Sequence, residues 1–554
     1  MESVLDPLGP WHGPVLFLGV LRGLAASSFI MSLTFMAPQS QEHWCARPAS
    51  FSNWTTQEWL NISVPLEVSE LGVVSRSRCH VHQWDGQDPE VIRSDARLWQ
   101  GQSNGSSVPT SVPCTEWEFD SSFHTRTVLS EWNTVCGNQW MLGISQSILM
   151  FGFMLGNFVF SHLSDWCGRR PAIFAGTLLS LMSGVAVAFA SSFSMFNAFR
   201  FLASTGHGGI TNVAYTIAIE CVAPRKRALI SMLQEVGWVL GLIVLPGLAY
   251  LLTNWVHLQL AISAPLIIML LVAYIMEESP RWLLVVGRFE AAEAVLHRIV
   301  KRNGLHVREI EKLVLESKEK VELEDKRNKS TILDLFRSWK IAIISISTHV
   351  QLAVVVLLYY DLIYKITDFG GSPFINFLLV ALLEIPVILG AMVVINYLRR
   401  RVIYFILYVP STVACLTLAF VPADMVWFQL ALVMVGKFCV QCAYSVICVQ
   451  VTECFPTVVR AVALGSALTA SRVGAIVAPF FKDLGRVTHP WVPSVLDALL
   501  AVGSLLLALL LPETFRKPLP DSFSDVLRLH EKKEADCAAE LESMGGGEEN
   551  DNVL

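Results

Sequence analysis

Charged or chargeable side chains stand inside long apolar stretches of this sequence: Arg22, Arg200, His207, Glu235, Glu384, Lys437, Arg472 and Asp497. An ionic group in hydrocarbon is costly, so such residues pair with one another or line a path for a polar ligand. Glu384, in "LLEIP", can offset a desolvated ammonium group, and Arg472, in "ASRVG", can hold a carboxylate through paired N–H donors. Trp238, Tyr359, Tyr360 and Tyr364 add ring faces, which attract ammonium groups. With Lys437 and Glu235 they form a candidate site for a small organic ion. The competing reading is structural: Glu384 neutralises Arg472, Lys437 pairs with Glu235, Arg200 reaches out from a helix end, and His207 packs among the glycines of "STGHGGI".

A second constellation lies between apolar stretches. "SHLSDWCGRRPA" brings Asp165, Arg169 and Arg170 together around a glycine, and "ECVAPRKR" and "EESPRW" add Glu220, Arg225, Glu278 and Arg281. The pattern recurs as Asn396 before Arg399, Arg400 and Arg401, Glu453 before Arg460, and Glu513 in "LPETF". The offsets, 165 to 396, 220 to 453 and 278 to 513, are nearly equal, which implies two similar halves. Acids and cations at the seam between the halves are expected to form an ionic latch that breaks when the halves separate. The plainer alternative is that the arginines serve topology alone.

The elements that must hold these groups are membrane helices. The chain is 53% hydrophobic and only 16% charged, with a mean hydropathy of +0.50, against about 25% charged for soluble domains. About twenty apolar residues span a bilayer as a helix, because its backbone hydrogen bonds are satisfied internally. Such runs lie near 14–37, 139–162, 171–191, 195–219, 228–252 and 258–276, then near 341–363, 373–395, 402–421, 426–451, 461–481 and 492–511. The expected fold is therefore an all-α membrane protein of twelve helices in two six-helix pseudo-repeats. Residues 1–276 form the first half, 277–340 a charged cytoplasmic linker with two surface helices, 341–511 the second half and 512–554 a cytoplasmic tail with an amphipathic stretch near 522–543. Basic clusters after even-numbered runs place both termini in the cytoplasm.

Segment 38–138 then lies outside. It carries the sequons at Asn53, Asn61 and Asn104, and four cysteines, Cys45, Cys79, Cys114 and Cys136, which imply two disulfides in any of three pairings. The other eight cysteines are expected to be free, and Cys439-Val-Gln-Cys442 reads as core. There is no Walker loop to use ATP, no cofactor motif and no nucleophile with its base, so neither an enzyme nor a nucleic-acid binder is expected. Two halves around a midplane site suit a secondary transporter.

The stretches "SDWCGRR", "ECVAPRKR", "LTNWVHLQLAISAP", "ESPRWLLVVGRFEAAEAVL", "NFLLVALLEIP", "ECFPTVVR", "TASRVGAIVAPFF" and "LPETFRKPLPD" resemble solute carrier family 22, the organic cation, anion and zwitterion transporters of the major facilitator superfamily. The resemblance covers essentially the whole chain and implies plasma-membrane transport of small organic ions by alternating access; the partners expected of such a transporter are the organic ion, the bilayer, and sodium, a proton or a counter-substrate. Glutamate in "EIP" resembles the cation and carnitine branches, and arginine in "ASRVG" the anion and carnitine branches. Having both implies a carnitine-like zwitterion or a cation; the alternatives are an organic anion transporter or a non-transporting receptor. Departures are Ser161 where glycine is usual, Asn396 and Arg399 in the second loop, and four outer cysteines rather than six.

Overall fold

The structure, a computed structural model, describes residues 6–68, 74–84, 88–93, 110–304, 314–315, 332–366, 371–422, 424–456, 459–515, 517 and 520. Among them are twelve long helices: α1 (Gly13–Met36), α2 (Trp140–Cys167), α3 (Arg169–Val187), α4 (Phe193–Glu220), α5 (Arg227–Leu251), α6 (Trp255–Ile275), α7 (Trp339–Ile366), α8 (Pro373–Tyr397), α9 (Arg400–Leu418), α10 (Val426–Cys454), α11 (Arg460–Val487) and α12 (Val492–Leu510). Ten helices are long and apolar enough to cross a membrane. The exceptions are α4, which carries Asn197, Arg200, His207 and Asn212, and α8, whose apolar stretch counts over Pro373–Val387 only.

The helices pack mainly within the first six and within the last six, with α2 against α11 and α5 against α8 joining the two sets. Backbone approach sets where α1 and α5 cross. A Cβ at Gly237 would lie 2.1 Å from the Val20 carbonyl oxygen, and one at Gly23 would lie 2.6 Å from the Trp238 nitrogen. Glycine at both positions lets the two backbones touch, which brings Arg22 beside Glu235 and Trp238. Beyond α6, Ser279 caps a short helix, Pro280–Val285, and the stretch "FEAAEAVLHRIVKR" forms a helix, Phe289–Asn303. Its buried Ala292, Val295, Leu296 and Ile299 share one face at helical spacing, and Arg298 pairs with Glu277 at 2.8 Å.

The segment between α1 and α2 has its own small core. Its described residues include three two-stranded antiparallel sheets: β1 (His43–Cys45) with β6 (Trp117–Phe119), β2 (Leu66–Val68) with β3 (Val74–Arg76), and β4 (His80–His82) with β5 (Ser111–Pro113). Phe51, Trp54, Trp59 and Ile92 are buried together, and the Trp59 indole donates to the Cys45 carbonyl at 2.9 Å. Disulfides join Cys45 to Cys114 and Cys79 to Cys136, selecting one of the three pairings. Cys167, Cys221, Cys415, Cys439, Cys442, Cys448 and Cys454 are free thiols, as expected. Asn53 and Asn61 are exposed. Asn104, Cys537, most of "VREIEKLVLESKEKVE" and the stretch 522–543 lie outside the described residues.

Candidate functional site

A cavity of about 840 Å³, its open mouth included, lies between the first six helices and the last six. Its wall carries Arg22 and Ala26 of α1, Phe153 of α2, Thr211 of α4, Glu235 and Trp238 of α5, Tyr359 and Tyr360 of α7, Gln441 and Tyr444 of α10, and Ser471 and Arg472 of α11. Five of the eight residues expected to bind an organic ion meet here: Glu235, Trp238, Tyr359, Tyr360 and Arg472. Glu235 is exposed, and the surface it exposes is cavity surface. The Arg472 guanidinium lies 4.9 Å from the centre of the Phe153 ring and its Nε has no hydrogen-bond partner. Arg22 donates to the Thr211 carbonyl at 3.0 Å and to the Gly19 carbonyl at 3.3 Å, so its charge is fixed at the wall without a bonded carboxylate. Thr211, Gln441 and Tyr444 were missed; the spacing of three between Gln441 and Tyr444, both polar-tipped in an apolar run, is the signal that could have found them.

The other three expected binding residues stand behind the wall. Lys437 donates to Glu384 at 2.5 Å, the Tyr359 hydroxyl donates to the same Oε1 at 2.6 Å, and the Trp238 indole reaches the Tyr359 hydroxyl at 3.3 Å. Glu384 and Lys437 are nearly buried, with side chains 3% and 6% exposed. Two sequence expectations therefore change. Glu384 is neutralised by Lys437 and not by Arg472, and Glu235 is not paired with Lys437. Glu384 touches the cavity only through Tyr359. Tyr364 accepts from the Gln146 amide at 3.1 Å and lines a separate cavity nearer the disulfide-bonded segment. Arg200 is fully buried, so it does not reach outward; it faces the Phe196 ring at 5.2 Å and bonds Gln146 at 3.3 Å. His207 is buried and stacks on Phe29 at 4.7 Å, a packing role.

The charged loops form two matching knots. Arg169 makes a forked contact with Glu220, at 3.3 and 2.9 Å, and the backbone N–H groups of Arg169 and Arg170 donate to Glu278 at 3.0 and 3.1 Å. Arg400 makes the same fork with Glu453, at 3.1 and 2.7 Å, and the Arg400 and Arg401 N–H groups donate to Glu513 at 3.0 and 3.2 Å. Burial pushes the Glu278 carboxyl up, against the pull of the N–H groups of Ser279, Arg170 and Arg169. Gly168, at φ +111°, turns the chain so that these N–H groups face Glu278; a Cβ there would also lie 2.5 Å from a Glu278 oxygen. In the second loop Arg399 has φ −64°, so no glycine is needed and its absence does not weaken the knot.

In this conformation, open toward the charged loops, the groups expected to latch across the seam bond within their own sets of helices. Asp165 bonds Arg169 at 2.6 Å, Arg170 reaches the Ala273 and Tyr274 carbonyls, and Arg281 reaches the Val222 carbonyl. Arg460 reaches the carbonyls of Phe455 and Pro520, and Arg225 is exposed. Every one of these partners belongs to the same set of helices as the cation. Asp165 is a rim residue, its side chain 74% exposed, whereas Arg169 is 9% exposed.

Hydrogen bonds between the two sets lie elsewhere among the described residues. They include Trp238 to Tyr359, Gln146 to Tyr364, Ser147 to the Ile476 carbonyl at 2.7 Å, and Arg486 to Gln39 at 3.3 Å. All fall between mid-helix and the end that bears the disulfides. Toward the charged-loop end the polar Asn212, Asn396 and Thr469 are exposed. The cavity is thus shut on the disulfide side and open on the charged-loop side.

Comparison with known proteins places this geometry. A family model described as "Sugar (and other) transporter" matches residues 112–522. The chain is 31% identical to the human organic cation/carnitine transporter 2, over 100% of this chain and 98% of that one. It is 31% identical to a beta-alanine transporter of Drosophila melanogaster, over 95% and 88% of the two chains, and 28% identical to rat solute carrier family 22 member 3, over 96% and 95%. The inward-open structure of the E. coli xylose transporter has the same fold, with a TM-score of 0.59 at 14% identity over 92% of this chain and 98% of that one.

Proposed function

The chain belongs to the sugar (and other) transporter family and, within it, to solute carrier family 22, and we propose that it carries small zwitterions bearing an ammonium and a carboxylate across the plasma membrane by alternating access. It is a multi-pass membrane transporter of the major facilitator fold, and its relatives are transporters rather than enzymes. The observation that carries the reading is one cavity lined by Glu235 and by Arg472 with Arg22, with Trp238, Tyr359 and Tyr360 between them. The carboxylate of the substrate lies on Arg472, and its ammonium group lies toward Glu235 and the aromatic faces. Carnitine and beta-alanine, named for two of the relatives, are both ammonium carboxylates.

In this reading all twelve long helices span the bilayer, with 1–276 and 341–511 as the moving halves and 277–340 and 512–554 in the cytoplasm. Segment 38–138 is extracellular and glycosylated at Asn53, Asn61 and Asn104. The cavity then opens to the cytoplasm. The knots around Arg169 and Arg400 brace each half internally, so that it moves as a body. An ion gradient of sodium or protons, or a counter-substrate, drives the cycle.

A second reading has one observation in its favour. With Glu384 matched by Lys437, the cavity holds two arginines against one glutamate, which also suits an organic anion. Uptake of radiolabelled carnitine, a small quaternary amine and an organic anion into proteoliposomes separates the readings. Carnitine uptake above both others is expected; anion uptake alone would select the second reading, and binding without uptake of any would make the chain a receptor.

A further inference from the structure

Away from the cavity wall, Asp361 and Lys365 of α7 and Asp497 of α12 form a second ionic cluster. Both aspartates have no exposed surface, and the lysine side chain is 13% exposed. Lys365 Nζ lies 2.6 Å from Asp361 Oδ2 and 2.5 Å from Asp497 Oδ2. The two carboxylates are also within hydrogen-bond reach of each other. Yet Oδ1 of Asp361 and Oδ1 of Asp497, both buried, have no hydrogen-bond partner. Two carboxylates and one ammonium leave an excess negative charge among apolar helices, and one donor is missing where buried acceptors converge.

Among the described residues no cation other than Lys365 forms an ion pair with either aspartate, and the buried guanidinium of Arg200 is bonded to Gln146 at 3.3 Å. Cys415 of α9 presents a buried thiol to the cluster, and Tyr364, one turn from Asp361, is engaged with Gln146. Lys437 of α10 is matched by Glu384 of α8, Arg472 of α11 faces the cavity, and Asp483 and Arg486 of α11 pair with each other at 3.0 Å.

We propose that Asp361 and Asp497 form a proton-binding site, in which one proton taken from water is shared between the two carboxylates while Lys365 balances the remaining charge. One O–H bond of a hydronium ion breaks as one O–H bond forms on a carboxylate oxygen, and a neutral water molecule is left behind. The filled cluster is neutral, which is what complete burial requires. Asp361 directly follows Tyr360, whose side chain lines the cavity, and lies three residues before Tyr364, which ties α7 to α2. Gain or loss of the proton therefore acts on the helix that carries both the cavity wall and the closed side of the seam.

The test is infrared difference spectroscopy of the purified full-length protein at neutral pH, in water and in deuterium oxide, which needs no transport and so stands or falls apart from the substrate reading. The wild type should show the carbonyl stretch of a protonated carboxylic acid, shifted in deuterium oxide. Asp361→Asn and Asp497→Asn should each lose that band, because either leaves one carboxylate opposite Lys365 and no excess charge to neutralise. Lys365→Met provides a separate arm: without the ammonium both acids take up a proton, and the band should roughly double. A wild-type spectrum that matches both Asn variants, or a band unchanged in Lys365→Met, overturns the site.

Discussion

Glu384 shows how a single residue can be recognised as special while its partner stays hidden. Its placement in an apolar run marks it as a paired or functional acid, and that much is legible in the sequence. Its partner is not, because Lys437 lies 53 residues away on α10 and only the packing of α8 against α10 brings the two together. The consequence differs from that of a substrate contact. Glu384→Gln leaves the Lys437 ammonium buried without its carboxylate, a loss of about 3–5 kcal/mol. The thermal unfolding midpoint should fall sharply, and Glu384→Gln combined with Lys437→Met should recover most of it. A Glu384→Gln protein that unfolds with the wild type but fails in uptake would return Glu384 to the ligand. Arg472 and Glu235, by contrast, line the cavity between the helix sets directly.

At the scale of elements, the helix boundaries follow from the apolar runs, because a helix is the form in which a lone segment satisfies its own backbone in hydrocarbon. The repeat of the charged loops is equally legible, and its geometry is closer to symmetric than the residues at the degraded positions imply. Asn396 and Arg399 depart from their counterparts, but the fork of Arg400 on Glu453 and the two N–H donors to Glu513 are complete. What spacing alone does not reveal is that each knot closes within its own six helices. It ties the ends of α2, α3 and α4 to the chain after α6 in one case, and those of α9 and α10 to the chain after α12 in the other. Glu220→Gln removes the forked partner of a buried arginine and should cost about 3–5 kcal/mol, whereas Asp165→Asn, at an exposed rim, should cost no more than about 1 kcal/mol. Unfolding midpoints of the two variants give the comparison. A cysteine placed in the open vestibule should be alkylated at the same rate in Asp165→Asn as in its parent; faster labelling would restore a latch between the halves.

For the whole molecule, the seam is closed from the level of Trp238 and Tyr359 to the disulfide-bearing end and open toward the charged loops. The wall of the cavity draws on helices from both sets, so a ligand held between Glu235 of α5 and Arg472 of α11 bridges the parts that must move against each other. Remote packing decides this arrangement, which is why the charge types could be read from the sequence and their distribution between cavity, wall and knot could not. The claim on which the account turns is that one cavity recognises both ends of a zwitterion. The most direct measurement is the affinity of purified wild type, Glu235→Gln and Arg472→Met for carnitine and for choline, which keeps the quaternary ammonium group and lacks the carboxylate. Wild type should prefer carnitine. Arg472→Met should lose that preference by weakening carnitine alone, since the charge-assisted contact to its carboxylate contributes about 1.5–3 kcal/mol, roughly tenfold or more in affinity. Glu235→Gln should weaken both ligands alike. Equal affinity of the wild type for carnitine and choline, or a preference that survives Arg472→Met, would contradict it.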